Sequence, residues 1–135
     1  MIILASGSPR RKELLEQIGA RFQVIVSAAE EESGDEWSPE ELVEKNAAAK
    51  AAAVAASHSE YPVLGADTVV SLDGHTYGKP CSSEDACSML RRLSGRSHQV
   101  STGLALVYEG RVYTSVVTTQ VQFALLSEPE IAAYV

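Results

Sequence analysis

Asp67 is the residue hardest to explain by stability alone. It lies in residues 61–72, YPVLGADTVVSL, a run of β-branched and apolar side chains that reads as a strand. An unpaired carboxylate buried there would be very costly, so Asp67 must be paired, bound to metal or placed at a cleft. A functional Asp67 and a structural hydrogen-bonding one both meet that requirement. The second chemical feature is residues 5–11, ASGSPRR. Ser8 suits a helix N-cap and Pro9 the first helical position, where a missing N–H costs nothing. Arg10, Arg11 and Lys12 then fill the first turn. The helix dipole makes each cation there unfavourable by roughly 0.3–1 kcal/mol. Three cations beside free backbone N–H groups form a site for a multiply charged anion, of which phosphate is the usual one. The bland alternative is a solvated basic helix start.

Other candidates carry less by themselves. Lys50 lies in an alanine-rich helical stretch, where a lysine either snorkels to water or projects into a cleft. Lys79, between Gly78 and Pro80, sits in a connection where a lysine is ordinarily idle. Glu30, Glu31 and Glu32 open an acidic loop that reads as a solvated run. His98 opens a strand, and a satisfied structural histidine is the simpler reading there.

The elements that must position these groups follow in order. An apolar run at residues 2–4 reads as a strand leading into the ASGSPRR loop and a helical pattern over residues 12–18, with Gly19 as its C′ residue. Residues 22–26 alternate as a second strand. Ser38-Pro39-Glu40-Glu41 is a capping box that starts a long helix running to about residue 56. The strand at 61–72 turns through Asp73-Gly74 into a short return strand at 75–77. A helix over 82–93 has Ala86, Met89, Leu90 and Leu93 on one face, with Cys87 as a small hydrophobe on or near it. Strands over 98–108 and 112–125 form an antiparallel pair through Glu109-Gly110. Ser127-Glu128-Pro129-Glu130 is another capping box, opening a helix of only two turns.

The 135 residues suit one α/β domain, and 45% hydrophobic with 21% charged residues is ordinary globular composition. A net charge of −7 argues against a nucleic-acid coat or a membrane-surface protein, so any phosphate site is a local positive island. Arg10, Arg11 and Lys12 are three of 11 basic residues, which makes such an island credible. Cys81 and Cys87 match neither a zinc spacing nor a disulfide framework. With no signal-peptide pattern and no apolar run of about 20 residues, a soluble cytoplasmic protein is expected.

Six motifs stand in a fixed order: ASGSPRRKELL, Glu31-Glu32-Ser33, Lys50-Ala51, GADTVV, GKP and LSGRSHQVSTG. Together they resemble the Maf family of nucleoside triphosphate pyrophosphatases, from Met1 to the final EIAAYV. The resemblance implies an elongated mixed sheet flanked by helices, with two lobes and a cleft, similar to inosine triphosphate pyrophosphatases. It implies hydrolysis of a nucleoside triphosphate to the monophosphate and pyrophosphate with Mg²⁺ or Mn²⁺. Ser8, Arg10 and Arg11 fall on the family's triphosphate loop, and Glu32, Lys50, Asp67 and Lys79 on its other polar positions. Arg10-Arg11 and Asp67-Thr68 look like the branch acting on dTTP and UTP. Family members continue with GEP and DKAG segments followed by a glutamine, so residues 1–135 are expected to be a Maf-like domain lacking its C-terminal segment.

The residues and the resemblance fit one mechanism. Arg10, Arg11, Lys50 and Lys79 neutralise the phosphates, Ser8 and loop N–H groups add hydrogen bonds, and Glu32 and Asp67 are oxygen ligands suited to the metal. Asp67, on a rigid strand, is the candidate to orient or deprotonate the attacking water. The rival is a non-catalytic nucleotide-binding regulator connected with cell division, as the family's older name of septum formation inhibitor suggests. The oligomeric state stays open, with a homodimer among the options, and no nucleic acid or membrane partner is expected.

Overall fold

The structure is a computed structural model describing residues 1–27, 29, 36–78 and 80–135. Glu32 and Lys79 lie outside the described residues. The elements run β1 (Ile2–Leu4), α1 (Pro9–Gln17), β2 (Phe22–Val24), α2 (Pro39–Ala55), β3 (Val63–Leu72), β4 (His75–Tyr77), α3 (Ser83–Leu93), β5 (Ser97–Tyr108), β6 (Arg111–Gln122) and α4 (Glu128–Tyr134). Six strands form one mixed sheet in the order β2-β1-β3-β5-β6, with β4 hydrogen-bonded to β3. Strands β2 and β3 flank β1 in parallel, and β3, β5 and β6 continue antiparallel. The mixed sheet flanked by helices is the class expected.

Local chemistry sets the element ends. Ser8, Ser38, Ser82 and Ser127 each cap a helix by accepting a backbone N–H, and the full reciprocal capping box forms at Ser127 and Glu130. Strand β2 stops at Val24, two residues before the alternation ends, and β6 stops at Gln122 rather than 125. Both hairpins turn through left-handed pairs, Asp73-Gly74 (φ 53° and 78°) and Glu109-Gly110 (φ 51° and 75°), which match the twist of the strands they join.

Helix α2 is the keystone of the packing. Its small face lies on β3 and β5, burying Val43, Ala47 and Ala51 completely. A Cβ at Gly103 would fall 2.5 Å from the Val43 carbonyl, so the helix backbone rests directly on the sheet. One core cluster joins Ala47, Ala51 and Val54 to Ile3, Ala5, Val63 and Ala105. A second joins Leu42 and Val43 to Val69, with Trp37 and Val116 packed against it. The alanines thus serve close approach, which brings the polar residues of α2 within reach of β3.

Away from this centre, α3 and α4 are tied by a forked ion pair. Arg91 Nε and Nη2 donate to both oxygens of Glu128 at 2.9–3.1 Å, and this holds the Glu128 carboxyl below the usual carboxylate range. Leu93 and Ile131 are buried in these two helices. Among the described residues, no helix is long and apolar enough to cross a membrane.

Candidate active site

Strand β1 ends at Leu4 while its parallel neighbour β3 runs on to Leu72, paired through Ile3 with Val63 and Leu4 with Leu64. The loop leaving β1 therefore lies beside the middle of β3. Ala5 N–H extends the pairing by one bond, to the Leu64 carbonyl at 2.8 Å. The chain after β1 goes to β2 on one side, and the chain after β2 returns to β3 on the other. Such a reversal of direction at the carboxyl ends of parallel strands opens the crevice where α/β proteins bind ligands.

Side chains alternate along β3, so Asp67 and Thr68 project to opposite faces. Asp67 meets α2: Asn46 Nδ2 donates to its Oδ2 at 3.0 Å, and Lys50 Nζ lies 3.5 Å from its Oδ1. Lys50 also donates to the Ala66 carbonyl at 3.2 Å. The Lys50 and Asp67 side chains keep 16% and 13% of their surface, enough for a ligand or water to reach them. Lys50 thus points to the carboxylate rather than snorkelling out to water.

Thr68 meets α1 instead. Arg11 Nη2 donates to Thr68 Oγ1 at 2.9 Å, and Arg11 Nη1 donates to Ser6 Oγ at 3.2 Å. The guanidinium thus bridges the loop after β1 and the middle of β3. Ser6 Oγ also accepts from Ser8 N–H at 3.2 Å, and Thr68 Oγ1 lies 3.1 Å from Thr102 Oγ1 across the β3–β5 pairing. Because guanidinium only donates, Ser6 and the Thr68–Thr102 pair spend acceptor capacity on Arg11 and retain O–H donors. Donors are what an acceptor-rich ligand such as a phosphate needs.

Ser8 caps α1 by accepting the Arg11 N–H at 3.5 Å, and no acidic residue occupies that first turn. Arg10 is exposed beside it. The arrangement leaves a positive helix start next to a carboxylate–lysine pair, separated by the thickness of one strand.

The whole chain, residues 1–135, matches the family model of Maf-like proteins. The chain belongs to the Maf family. A dTTP/UTP pyrophosphatase of Bacillus thuringiensis subsp. konkukian is 49% identical over 134 residues, spanning 99% of this chain and 70% of the relative. One of the same name from Bacillus cereus strain AH820 is 48% identical with the same coverage. Among solved structures, the Staphylococcus aureus Ham1 protein superposes with a TM-score of 0.61 at 17% identity, covering 90% of this chain and 70% of that one, which is a likeness of fold.

Of the residues anticipated in this Maf-like chain, Ser8, Arg10 and Arg11 gather at the start of α1, and Lys50 and Asp67 form a pair. Sequence reasoning passed over Ser6, Asn46 and Thr102 as site residues. Asn46 carried a readable signal, since it lies four residues before Lys50 and one before buried Ala47, in phase with the apolar stripe of α2. Thr102 carried none, since its place directly opposite Thr68 is set by the β3–β5 register. His98, by contrast, is buried edge-on against Phe123, with ring centroids 4.7 Å apart, but its Nδ1 meets no partner among the described residues, so it is not the satisfied histidine expected.

Among the described residues, no three His, Cys, Asp or Glu side chains cluster to hold a metal ion. Asp67 alone nevertheless fits a hard cation. It offers carboxylate oxygens with retained accessibility, and Mg²⁺ is commonly held by one or two carboxylates together with substrate phosphates.

Proposed function

We propose that this chain hydrolyses nucleoside triphosphates, with dTTP and UTP foremost, to the monophosphate and pyrophosphate. The nearly half-identical relatives named dTTP/UTP pyrophosphatase support both the activity and the substrates. One observation carries the catalytic reading. Asp67 is held by two donors of α2, one strand position away from the threonine that anchors Arg11. Triphosphate binding without chemistry would need the cations, but would be opposed by a carboxylate. This disfavours the regulator reading.

Arg10, Arg11, Lys50 and Lys79 neutralise the triphosphate, with Ser8 and the N–H groups of the loop as hydrogen-bond donors. Asp67 and Glu32 would hold a divalent cation, Mg²⁺ or Mn²⁺, which when bound would supply further charge neutralisation and acidify water. Asp67 orients the attacking water and takes its proton. The water oxygen bonds to phosphorus in line, the α–β anhydride bond breaks, and the electron pair leaves with pyrophosphate. Positioning and charge stabilisation account for most of the acceleration in such a transfer. Free thiols at Cys81 and Cys87 accord with a reducing cytoplasm as the place of action.

The test is pyrophosphate release from a panel of nucleoside triphosphates with Mg²⁺. Release from dTTP and UTP is expected, falling by about a hundredfold or more in Asp67→Asn. Triphosphate binding with no pyrophosphate from any nucleotide would instead favour the regulator.

A further inference from the structure

Six residues of α2 are buried. Five are apolar (Leu42, Val43, Ala47, Ala51 and Val54) and the sixth is Asn46, only 3% exposed. A side-chain amide in such a place is costly unless hydrogen-bonded, and an aliphatic residue would fill the same space without that demand. The partner that satisfies its NH₂ group is the Asp67 carboxylate, at 3.0 Å. Since a carboxylate accepts only, the donor end of the amide must face it.

Asn46 and Lys50 stand four residues apart on one face of a helix, and each addresses a different oxygen of Asp67. The contact from Lys50 is long, at 3.5 Å, and that side chain also donates to the Ala66 carbonyl. The shorter contact comes from the amide. The terminal torsion of an aspartate is soft, so without a directional donor the carboxylate plane rotates over a broad range. A neutral donor on a rigid helix fixes that plane without cancelling the charge.

We propose that Asn46 is a positioning residue of the reaction: its buried amide sets the orientation in which Asp67 presents its carboxylate to water and metal. The inference rests on the reading of Asp67 given above. At 3% exposure Asn46 has no surface to offer a substrate, so its influence passes through Asp67 and falls on turnover.

Asn46→Leu keeps the volume and removes the donor. Steady-state kinetics with dTTP are expected to show kcat lowered 10- to 100-fold and KM within threefold of wild type, as for a catalytic group displaced by about 1 Å. The Kd of a nonhydrolysable triphosphate should stay within threefold, and Tm should fall modestly, because the Asp67 carboxylate loses a buried donor. A merely structural asparagine predicts the lowered Tm with unchanged kcat. Should Asn46→Leu fail to fold, Asn46→Ala, native to so alanine-rich a helix, reads the same quantities. A folded variant with kcat within twofold of wild type overturns the proposal. Asp67→Asn, assayed in parallel, separates the two failures: normal turnover there sinks the reading of Asp67 itself, whereas loss there with normal turnover in Asn46→Leu sinks only the role of Asn46.

Discussion

Gly65 on β3 and Ala47 on α2 leave no room for a side chain between them: a Cβ at Gly65 would fall 2.3 Å from the Ala47 carbonyl oxygen and 2.9 Å from the Ala51 nitrogen. Both obstructing atoms are backbone, so the helix itself must move. Because α2 also carries Asn46 and Lys50, any such movement draws both donors away from Asp67. Gly65→Ala is therefore expected to cost roughly 3 kcal/mol, at the upper end for overpacking, and to lower kcat in whatever fraction remains folded. Urea unfolding followed by a pyrophosphate assay on the folded protein checks both. A variant as stable as wild type would show that α2 is not seated by this contact.

Arg11 spans Ser6 and Thr68 with two different nitrogens, a geometry that depends on the planar fork of the guanidinium. Lysine keeps the charge but concentrates it on one nitrogen, which cannot serve both oxygens at these separations. Arg11→Lys should therefore resemble Arg11→Ala, raising KM for dTTP by about tenfold or more, as expected for losing hydrogen bonds from a charged group. Near-normal KM in the lysine variant would mean that charge alone is used at this position.

What could be read in the sequence was what broke a local rule. Asp67 interrupted an apolar strand and Arg10-Arg11-Lys12 opposed a helix dipole, so both stood out as candidates for a ligand site, each beside a bland alternative. Lys50 had two readings that periodicity could not separate, because snorkelling depends on what lies above the helix. Asn46 was missed for a different reason. An asparagine among alanines is unremarkable in composition, and only its phase against Val43, Ala47 and Ala51 gives it away. Thr102 became visible once the β5 register set it opposite Thr68, a long-range fact that no local pattern encodes. Gly65 and Gly103 likewise show their constraint only once α2 is laid across them.

The two hairpins carry a contrast that can be exploited. Each has a left-handed residue before its glycine: aspartate at position 73, but glutamate at position 109 with φ 51°. Asp and Asn tolerate that region through local hydrogen bonding, whereas Glu incurs the steric cost of its Cβ without that relief. Glu109→Asn is expected to stabilise the chain by roughly 0.5–1 kcal/mol and leave kcat unchanged. Thermal unfolding reads the first and turnover of dTTP the second. A lowered Tm would indicate that the glutamate side chain makes a compensating contact.

His98 combines 5% exposure with an Nδ1 that meets no partner among the described residues. Burial pushes its pKa below the ordinary value of 6.5, since the imidazolium would lose its hydration against Phe123. The unfolded chain then takes up a proton below pH 6.5 that the folded chain resists. Stability contributed by this group is therefore fully present above pH 6.5 and is lost as pH falls from there through the folded pKa. Carboxylates titrate lower and add their own loss, so the informative quantity is a difference between proteins. His98→Phe keeps an aromatic ring against Phe123 and removes the titration. Urea midpoints measured between about pH 7.5 and 5 should fall more steeply for the wild type than for His98→Phe. Parallel curves would mean that His98 binds its proton equally well folded and unfolded, and that burial at this site does not disfavour the charge.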